Sequence, residues 1–451
     1  MVKRCLSERL SYKAATFSFL FFLFMSGLTQ SSADDTLKNA IHEDYPYIYS
    51  LYTHLHSHPE LSFHEQKTSE RLAKELRETG FEVTEGVGGY GLVALMRNGK
   101  GPTVMIRTDM DALPVKETTG LPYASTQYYQ GDDGHTIPIM HACGHDIHMA
   151  VFVGTARRMA AMKEHWSGTL MMIAQPAEEQ GAGARLMLED GLFKRFARPD
   201  YNLALHVYPE LPGGTVAVVS GYAFANVDSV DISVYGLGGH GAYPQSAKDP
   251  VVLAAEIIVA LQTIVSREIS PQDAAVVTVG TIHGGEKRNV IPEQVDLQLT
   301  VRSYTDETRK KVLDAIKRIA LNQARSFGIP EDKLPQVHIL NNYTPAVYNN
   351  PALSKRIREH FEETLGSQRV KSIPAAMVGE DFTHYGRVEP RIPSLIFRLG
   401  AADPEAYRQA KQQNISLPPL HSSRFAPPPE TTIETGVEAM TEAALLLLGK
   451  K

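Results

Sequence analysis

The chain has 451 residues, more than one typical domain holds, and 43% of them are hydrophobic, enough for a sizeable core. Its formal net charge of −6 at pH 7 is mild and gives no reason to expect a nucleic-acid partner.

The N-terminus reads as a separate object. Lys3, Arg4, Arg9 and Lys13 make a basic start, residues 17–28 are almost wholly apolar, and small residues at 30–33 precede Asp34-Asp35. This three-part pattern predicts a signal peptide over 1–33 and an exported protein, periplasmic or secreted. The rival reading is an uncleaved anchor, but the apolar stretch is short for a span of about twenty residues. No later segment reads as apolar enough to cross a bilayer, so no stable membrane anchor is expected after cleavage. Cys5 leaves with the leader. Cys143, the only other cysteine, then has no intramolecular partner, which favours another use for its thiol.

Residues 44–58 and 64–79 read as helices, the second with Leu72 and Leu76 at helical spacing and Gly80 as a stop. Short buried strands follow at 92–96 and 103–106. Then come a helix at 147–162, a strand at 170–173, a helix at 183–189 and a strand at 202–205. This alternation predicts an α/β layer architecture with a mainly parallel sheet. The character changes near Gly221. Strands at 227–234, 276–282, 295–301 and 336–340, with helices at 250–266 and 306–327, predict an inserted α+β domain of the ferredoxin-like type over 221–340. The α/β domain is thus expected in two pieces, 34–220 and 341–451. Its second piece has a helix at 352–365, a strand at 394–399, the short proline loop Pro427-Pro428-Pro429 and a last helix at 430–448.

The densest chemistry lies in His141-Ala142-Cys143-Gly144-His145-Asp146-Ile147-His148. Cys143 and His145 are too close for one face of a helix, but their spacing suits a loop wrapped around an ion. Singly, a cysteine is more often a small core residue and a histidine a hydrogen-bonded structural one; the cluster favours ligands. Gln175-Pro176-Ala177-Glu178-Glu179 follows a strand-like run at 169–174. Neighbouring side chains on an extended backbone point apart. One carboxylate can therefore bind metal while the other takes a proton from water. Without the histidines, the pair would read as an exposed acidic turn. Asp109 and Asp111 come just after the 103–106 strand, where open α/β sheets collect their sites, or they are a solvated turn. His206 ends the run Leu203-Ala204-Leu205 and His421 precedes Ser422-Ser423; each alone is an ordinary structural or loop residue. His240 lies in the glycine-rich Gly236-Leu237-Gly238-Gly239-His240-Gly241-Ala242-Tyr243-Pro244. Such a loop bends sharply, approaches something closely, or is simply flexible surface.

Further segments stand in order through most of the chain: His58-Pro59-Glu60-Leu61-Ser62, Asp109-Met110-Asp111-Ala112-Leu113-Pro114, Leu205-His206-Val207, Asn289-Val290-Ile291-Pro292, Gly379-Glu380-Asp381-Phe382 and His421-Ser422-Ser423. Together with the three above, they resemble the aminoacylase-type dinuclear metallopeptidases, in the amidohydrolase branch that includes hippurate hydrolases and plant indole-acetyl-amino-acid hydrolases. The resemblance implies two divalent metal ions (Zn, Mn, Co or Ni) held by Cys143, His145, Glu179, His206 and His421, with the Cys143 thiolate bridging. It implies Glu178 as general base and Asp109 as the residue that orients His145. His240 would reach from a lid and dimerisation domain, that of a partner subunit in a homodimer, to stabilise an oxyanion. Asn289 and Arg302 would sit near the substrate, at its carboxylate. The family loop often reads His-x-Ala-x-Pro-His; here Gln245 stands at the last position, which puts its substrate contact in doubt.

The expected reaction is hydrolysis of a small N-acyl amino acid to a carboxylic acid and an amino acid. The metals lower the pKa of a shared water, Glu178 takes its proton and later delivers one to the leaving amine, and the metal and His240 stabilise the oxyanion. Two other readings compete. One is an amidase with Cys143 as nucleophile, which would survive metal removal. The other is a non-catalytic exported binding protein, which would have no use for Glu178.

Overall fold

Two sheets organise the chain, and they are buried in different ways. The computed structural model describes residues 36–131 and 134–450, so the expected leader at 1–33 lies outside the described residues. The larger sheet has eight strands in the order Glu82–Glu85, Leu92–Asn98, Gly168–Gln175, Thr103–Asp109, Tyr201–Pro212, Ser394–Ala402, Val216–Ala217 and Val370–Lys371. The four strands from Gly168–Gln175 to Ser394–Ala402 run parallel. Leu92–Asn98 and Glu82–Glu85 add an antiparallel hairpin to one side. The sheet is therefore mostly parallel, as expected, in a mixed α/β fold.

Its strands are apolar on both faces because both faces are covered. Ala94, Ile106, Leu170 and Met172 point into one core, which also takes residues of the helices His145–Ala161, Pro351–Phe361 and Pro429–Leu448. Val93, Met105, Met171 and Ile173 point into a second core with Met187 of the helix Gly183–Glu189. The first helix spans 36–57, starting eight residues before the expected 44. The next, Gln66–Glu78, stops where Gly80 turns at φ +88.

The smaller sheet has the order Ala275–His283, Gln294–Ser303, Asn226–Tyr235, Gln336–Ile339, all antiparallel. Burial along Asn226–Tyr235 alternates strictly, so this sheet has one core face. Val230, Ile232, Leu297 and Val301 pack there against the helices Pro250–Thr263 and Asp306–Ser326. Strand, helix, strand, strand, helix, strand is the order expected of the ferredoxin-like segment. Both helices start on caps: the Asp249 and Thr305 side chains accept from the backbone N–H groups of Val251 and Thr308.

One expectation is corrected. Pro250–Glu268 is long and apolar enough, by length and composition, to cross a membrane. In this fold Leu253, Ile257 and Leu261 of that segment belong to the small sheet's core, while Val251, Val252 and Val259 are exposed.

Candidate metal centre and catalytic cavity

The site stands where the parallel strands end. Asp109 is the last residue of its strand, in register with Gln175 of the neighbouring strand. Glu178 and Glu179 follow Gln175 in a turn, and His206 stands within Tyr201–Pro212 opposite Arg398. His145 is the first residue of the helix His145–Ala161. Gly144 just before it has φ +79, and a Cβ there would lie 2.7 Å from Val207 Cγ2, so only glycine lets the loop turn this close to the sheet. His421 is tied to the same loop by its backbone N–H, which donates to Ala142 O at 2.8 Å.

Hydrogen bonds fix which imidazole nitrogens are free. Nδ1 of His145 donates to the backbone O of Asp111 at 2.8 Å, and Nδ1 of His206 donates to Val207 O at 2.7 Å. A carbonyl can only accept, so each Nδ1 carries a proton and Nε2 is the nitrogen left to face an ion. His206 Nε2 lies 3.6 Å from Cys143 Sγ. His145 Nε2 lies 3.9 Å from Glu179 Oε1 and 4.0 Å from Glu178 Oε2, and His421 Nε2 lies 3.6 Å from Glu179 Oε1. Among the described residues, His145 Nε2 and Glu179 Oε1 are buried without any hydrogen bond. Ligand-type atoms that converge in this way, two of them buried without a hydrogen bond, fit a cation. Several groups of three have donor atoms all within 4.8 Å of one another, among them His145 with Glu178 and Glu179; two of the groups are Cys143 with His145 and His206, and Cys143 with Glu179 and His421. Cys143 belongs to both.

The charges agree with that reading. Burial, with the nearby Glu380 and Glu179 charges, pushes the Glu178 carboxyl well above the usual range. Burial also raises Glu179 to about 7 and the Cys143 thiol well above its ordinary value. Anionic groups held in so little water call for positive charge. Part of it is built in. Arg107, fully buried, donates from Nη1 to Asp109 Oδ2 at 2.6 Å, from Nη2 to Asp381 Oδ1 at 3.0 Å and from Nε to Gln175 Oε1 at 3.0 Å, and lies 3.1 Å from Glu380 Oε1.

Above these groups opens a cavity of about 640 Å³, lined by Cys143, Glu178, Glu179, His206 and His421 on one side and by Arg302 on another. His240 and Asn289 are not among its lining residues. They sit together elsewhere, joined by the short ladder that pairs His240 with Val290 and by the Gly241 N–H donating to Asn289 O at 2.9 Å. Both are exposed, as is Gln245.

Known proteins resemble this chain in sequence and fold. The sequence pattern of peptidase family M20/M25/M40 matches residues 105–422. The chain belongs to this family. It is similar to an N-acetyldiaminopimelate deacetylase of Limosilactobacillus fermentum, 36% identical over 86% of this chain and 94% of that protein. A thermostable carboxypeptidase of Saccharolobus solfataricus is 33% identical over 87% of this chain and 93% of its own. Among solved structures, a dinuclear metal binding peptidase from the M20 family of Bacillus subtilis superposes with a TM-score of 0.72 at 28% identity, over 90% of this chain and 99% of that one. The protein is a hydrolase of the M20 family.

Within the M20 chain, three sequence expectations change. Asp109 does not orient His145. That imidazole is held through Nδ1 by Asp111, whose Oδ2 also accepts from the Glu179 backbone N–H at 2.9 Å and from Ser62 Oγ at 2.6 Å. Asp109 instead accepts from His148 Nδ1 at 2.7 Å and from Arg107, with Oδ2 3.8 Å from His145 Nε2. Glu178 and Glu179 diverge from a turn rather than from extended backbone. Ala177 just before them has φ +50, and the buried Glu65 holds it there by accepting from its N–H at 2.7 Å. A left-handed alanine costs about 1–3 kcal/mol and persists only where surrounding contacts impose it. Third, Asp109 belongs to the strand, which runs past the expected end at 106. Sequence reading missed Arg107, Glu65 and Arg398. The signal for both arginines was a lone cation inside an apolar strand.

Proposed function

We propose that the protein is a homodimeric, exported amidohydrolase that cleaves N-acyl amino acids with two divalent ions. One observation carries the reading: two groups of metal-ligand donors share Cys143, with the carboxylate of Glu178 at their edge. Cys143, His145 and His206 would hold one ion; Cys143, Glu179 and His421 the other. Asp109 lies near enough to His145 Nε2 to serve the first. Thiolate and imidazole suit Zn, Co or Ni, and the carboxylates also suit Mn. When bound, the ions supply Lewis-acid polarisation of the amide and acidify water.

The chain's own residues do the rest. Glu178 faces the cavity, its raised proton affinity matched to taking a proton from the attacking water and returning it to the leaving nitrogen. Arg302 offers a guanidinium to the substrate's α-carboxylate from the small sheet. His240 and Asn289 complete the site from the partner subunit, His240 donating to the oxyanion. What supports this is their exposure and their absence from the cavity wall of their own chain. The small sheet offers a surface for the dimer: an open edge strand, Ala275–His283, with Ile282 exposed, beside exposed Val252 and Val259. On this reading, residues 221–340 serve as both lid and dimerisation domain. A Cys143 nucleophile is less well supported, because burial holds that thiol protonated.

The test is metal analysis of the purified protein, then a screen of N-acetyl, N-benzoyl and indole-acetyl amino acids before and after exhaustive chelation. Turnover should need divalent metal; full activity in a verified metal-free sample overturns the reading. Export is checked separately, by N-terminal sequencing of the native protein, expected to start near Asp34.

A further inference from the structure

The cavity floor holds a cation to which the proposed reaction gives no task. Arg398 stands in the strand Ser394–Ala402, in the run Leu395-Ile396-Phe397-Arg398-Leu399, and is 3% exposed. In the parallel ladder it is the neighbour of His206, so the two side chains leave the sheet on the same face. It lines the same cavity as Cys143, Glu178 and Arg302. Its guanidinium carbon lies 3.5 Å from the centre of the Phe224 ring and 5.4 Å from that of Tyr208.

Those rings stabilise a charge but leave the donors of a guanidinium without acceptors. Among the described residues, no side chain or carbonyl accepts a hydrogen bond from Arg398, and no carboxylate pairs with it. Glu380, the nearby carboxylate of greatest influence on it, is already engaged by Arg107. The contrast between the two buried arginines is therefore sharp. Arg107 is saturated by protein acceptors; Arg398 turns its donors to the space a substrate enters. Water can satisfy them while the cavity is open. A substrate that fills the cavity displaces that water, and a neutral group set against the guanidinium leaves buried donors unpaired. A carboxylate there makes two charge-assisted hydrogen bonds in the geometry a guanidinium favours.

Resting on the reading of the site as an N-acyl amino acid hydrolase, we propose that Arg398 is a specificity-determining residue that binds a second carboxylate of the substrate. The preferred substrates are then N-acyl amino acids with two acidic groups, one at Arg302 and one at Arg398. The second carboxylate can come from the amino-acid side chain or from a diacid acyl group.

Two isosteric pairs distinguish these sources in the metal-loaded enzyme: N-acetylglutamate against N-acetylglutamine, and N-succinylalanine against N-succinamoylalanine. In one pair the acid should exceed its amide in kcat/KM by about 10- to 100-fold, the worth of a charge-assisted contact that the amide cannot make. Arg398→Gln should bring that ratio close to one, and Arg398→Lys should keep part of it. A residue serving only as counter-charge for the metal site would lower both members of a pair alike and leave the ratio unmoved. The proposal is overturned by a ratio near one in both pairs for the unmodified enzyme, which needs no variant to fold, or by a ratio that survives Arg398→Gln. If none of the four compounds is cleaved, the N-acyl amino acid reading fails, and equilibrium binding of glutarate still decides the matter for Arg398. Binding at least tenfold weaker in Arg398→Gln supports the carboxylate site, and equal binding rejects it.

Discussion

The cavity floor and the loop carrying His240 are built on opposite terms. In the floor the two aspartates are held by their surroundings: Asp111 by His145, Ser62 and the Glu179 backbone, Asp109 by Arg107 and His148. Among the described residues, His145 Nε2 and Glu179 Oε1 have no hydrogen bond, and they lie 3.9 Å apart. The His240 loop is exposed; among the described residues, its imidazole meets its own loop, accepting from the Ala242 N–H at 3.0 Å and packing on the Tyr243 ring. The difference teaches that one chain gathers the candidate ligands from distant segments, while His240 and Asn289 are not among the residues lining that cavity. Each prediction below breaks or sharpens that contrast.

The largest effect should come from the floor. Removing the metals should abolish turnover. Glu178→Gln should keep them and still lose about 10²–10⁴-fold in kcat, because an amide accepts no proton from water. Glu179→Gln should instead lose metal. Metal content measured beside kcat separates the two; equal metal loss in both variants would refute the division of labour.

Next comes the wiring beneath. Arg107→Met leaves Asp109, Glu380 and Asp381 without their shared cation in a dry interior. Breaking a buried ion cluster in this way costs about 3–5 kcal/mol. Urea unfolding should show it, and a loss below about 1 kcal/mol would mean that the carboxylates find protons or water instead.

The loop should respond differently. His240→Ala should bind metal and unfold normally, yet lose about 10²–10³-fold in kcat with little change in KM, as removal of one oxyanion donor does. Mixed with Glu178→Gln under conditions that let subunits exchange, it should regain activity, since one site of a mixed dimer has both groups intact. Mixed dimers confirmed by differential tagging that stay inactive would exclude action in trans.

Much of this was legible in the sequence, for identifiable reasons. The helix 183–189 and the small-sheet strands were readable because their periodicity is regular and their ends are marked by caps or turns. The donor cluster was readable because Cys143 and His145 stand two residues apart and the Glu178-Glu179 pair follows a strand. What escaped depends on contacts far apart in sequence. Arg107 meets Asp381 across 274 residues and Glu65 meets Ala177 across 112, and no local pattern encodes either. The choice of Asp111 over Asp109 to orient His145 escaped for a related reason. The two aspartates are two residues apart, and His145 is held by the backbone O of Asp111, a contact that no side-chain pattern signals. The Ala177 turn was hidden because alanine carries no signal for a left-handed backbone.

The smallest effect sharpens the floor from its outer side. His56 is buried between Asp146, 2.6 Å from Nδ1, and Glu117, 3.1 Å from Nε2. The Tyr52 and Tyr123 rings pack against it, and among the described residues His141 is the other imidazole whose charge it affects. Burial alone would lower its pKa, but the two carboxylates outweigh that and raise it to about 10. A histidine whose folded pKa exceeds its unfolded value stabilises the fold while it is protonated in both states, and that stabilisation fades as pH rises toward the folded pKa. The contribution is therefore full below about pH 6.5, the ordinary histidine value, and is lost progressively up to about pH 10. His56→Gln keeps a donor but no titrating charge. Its unfolding free energy should fall furthest below that of the unmodified, metal-loaded protein near pH 6, by an amount on the order of 1.5–3 kcal/mol for hydrogen bonds to charged groups. The gap should close as pH is raised toward 10. A gap that stays constant across that range would mean that His56 is neutral in the folded protein and that its two carboxylates are balanced some other way.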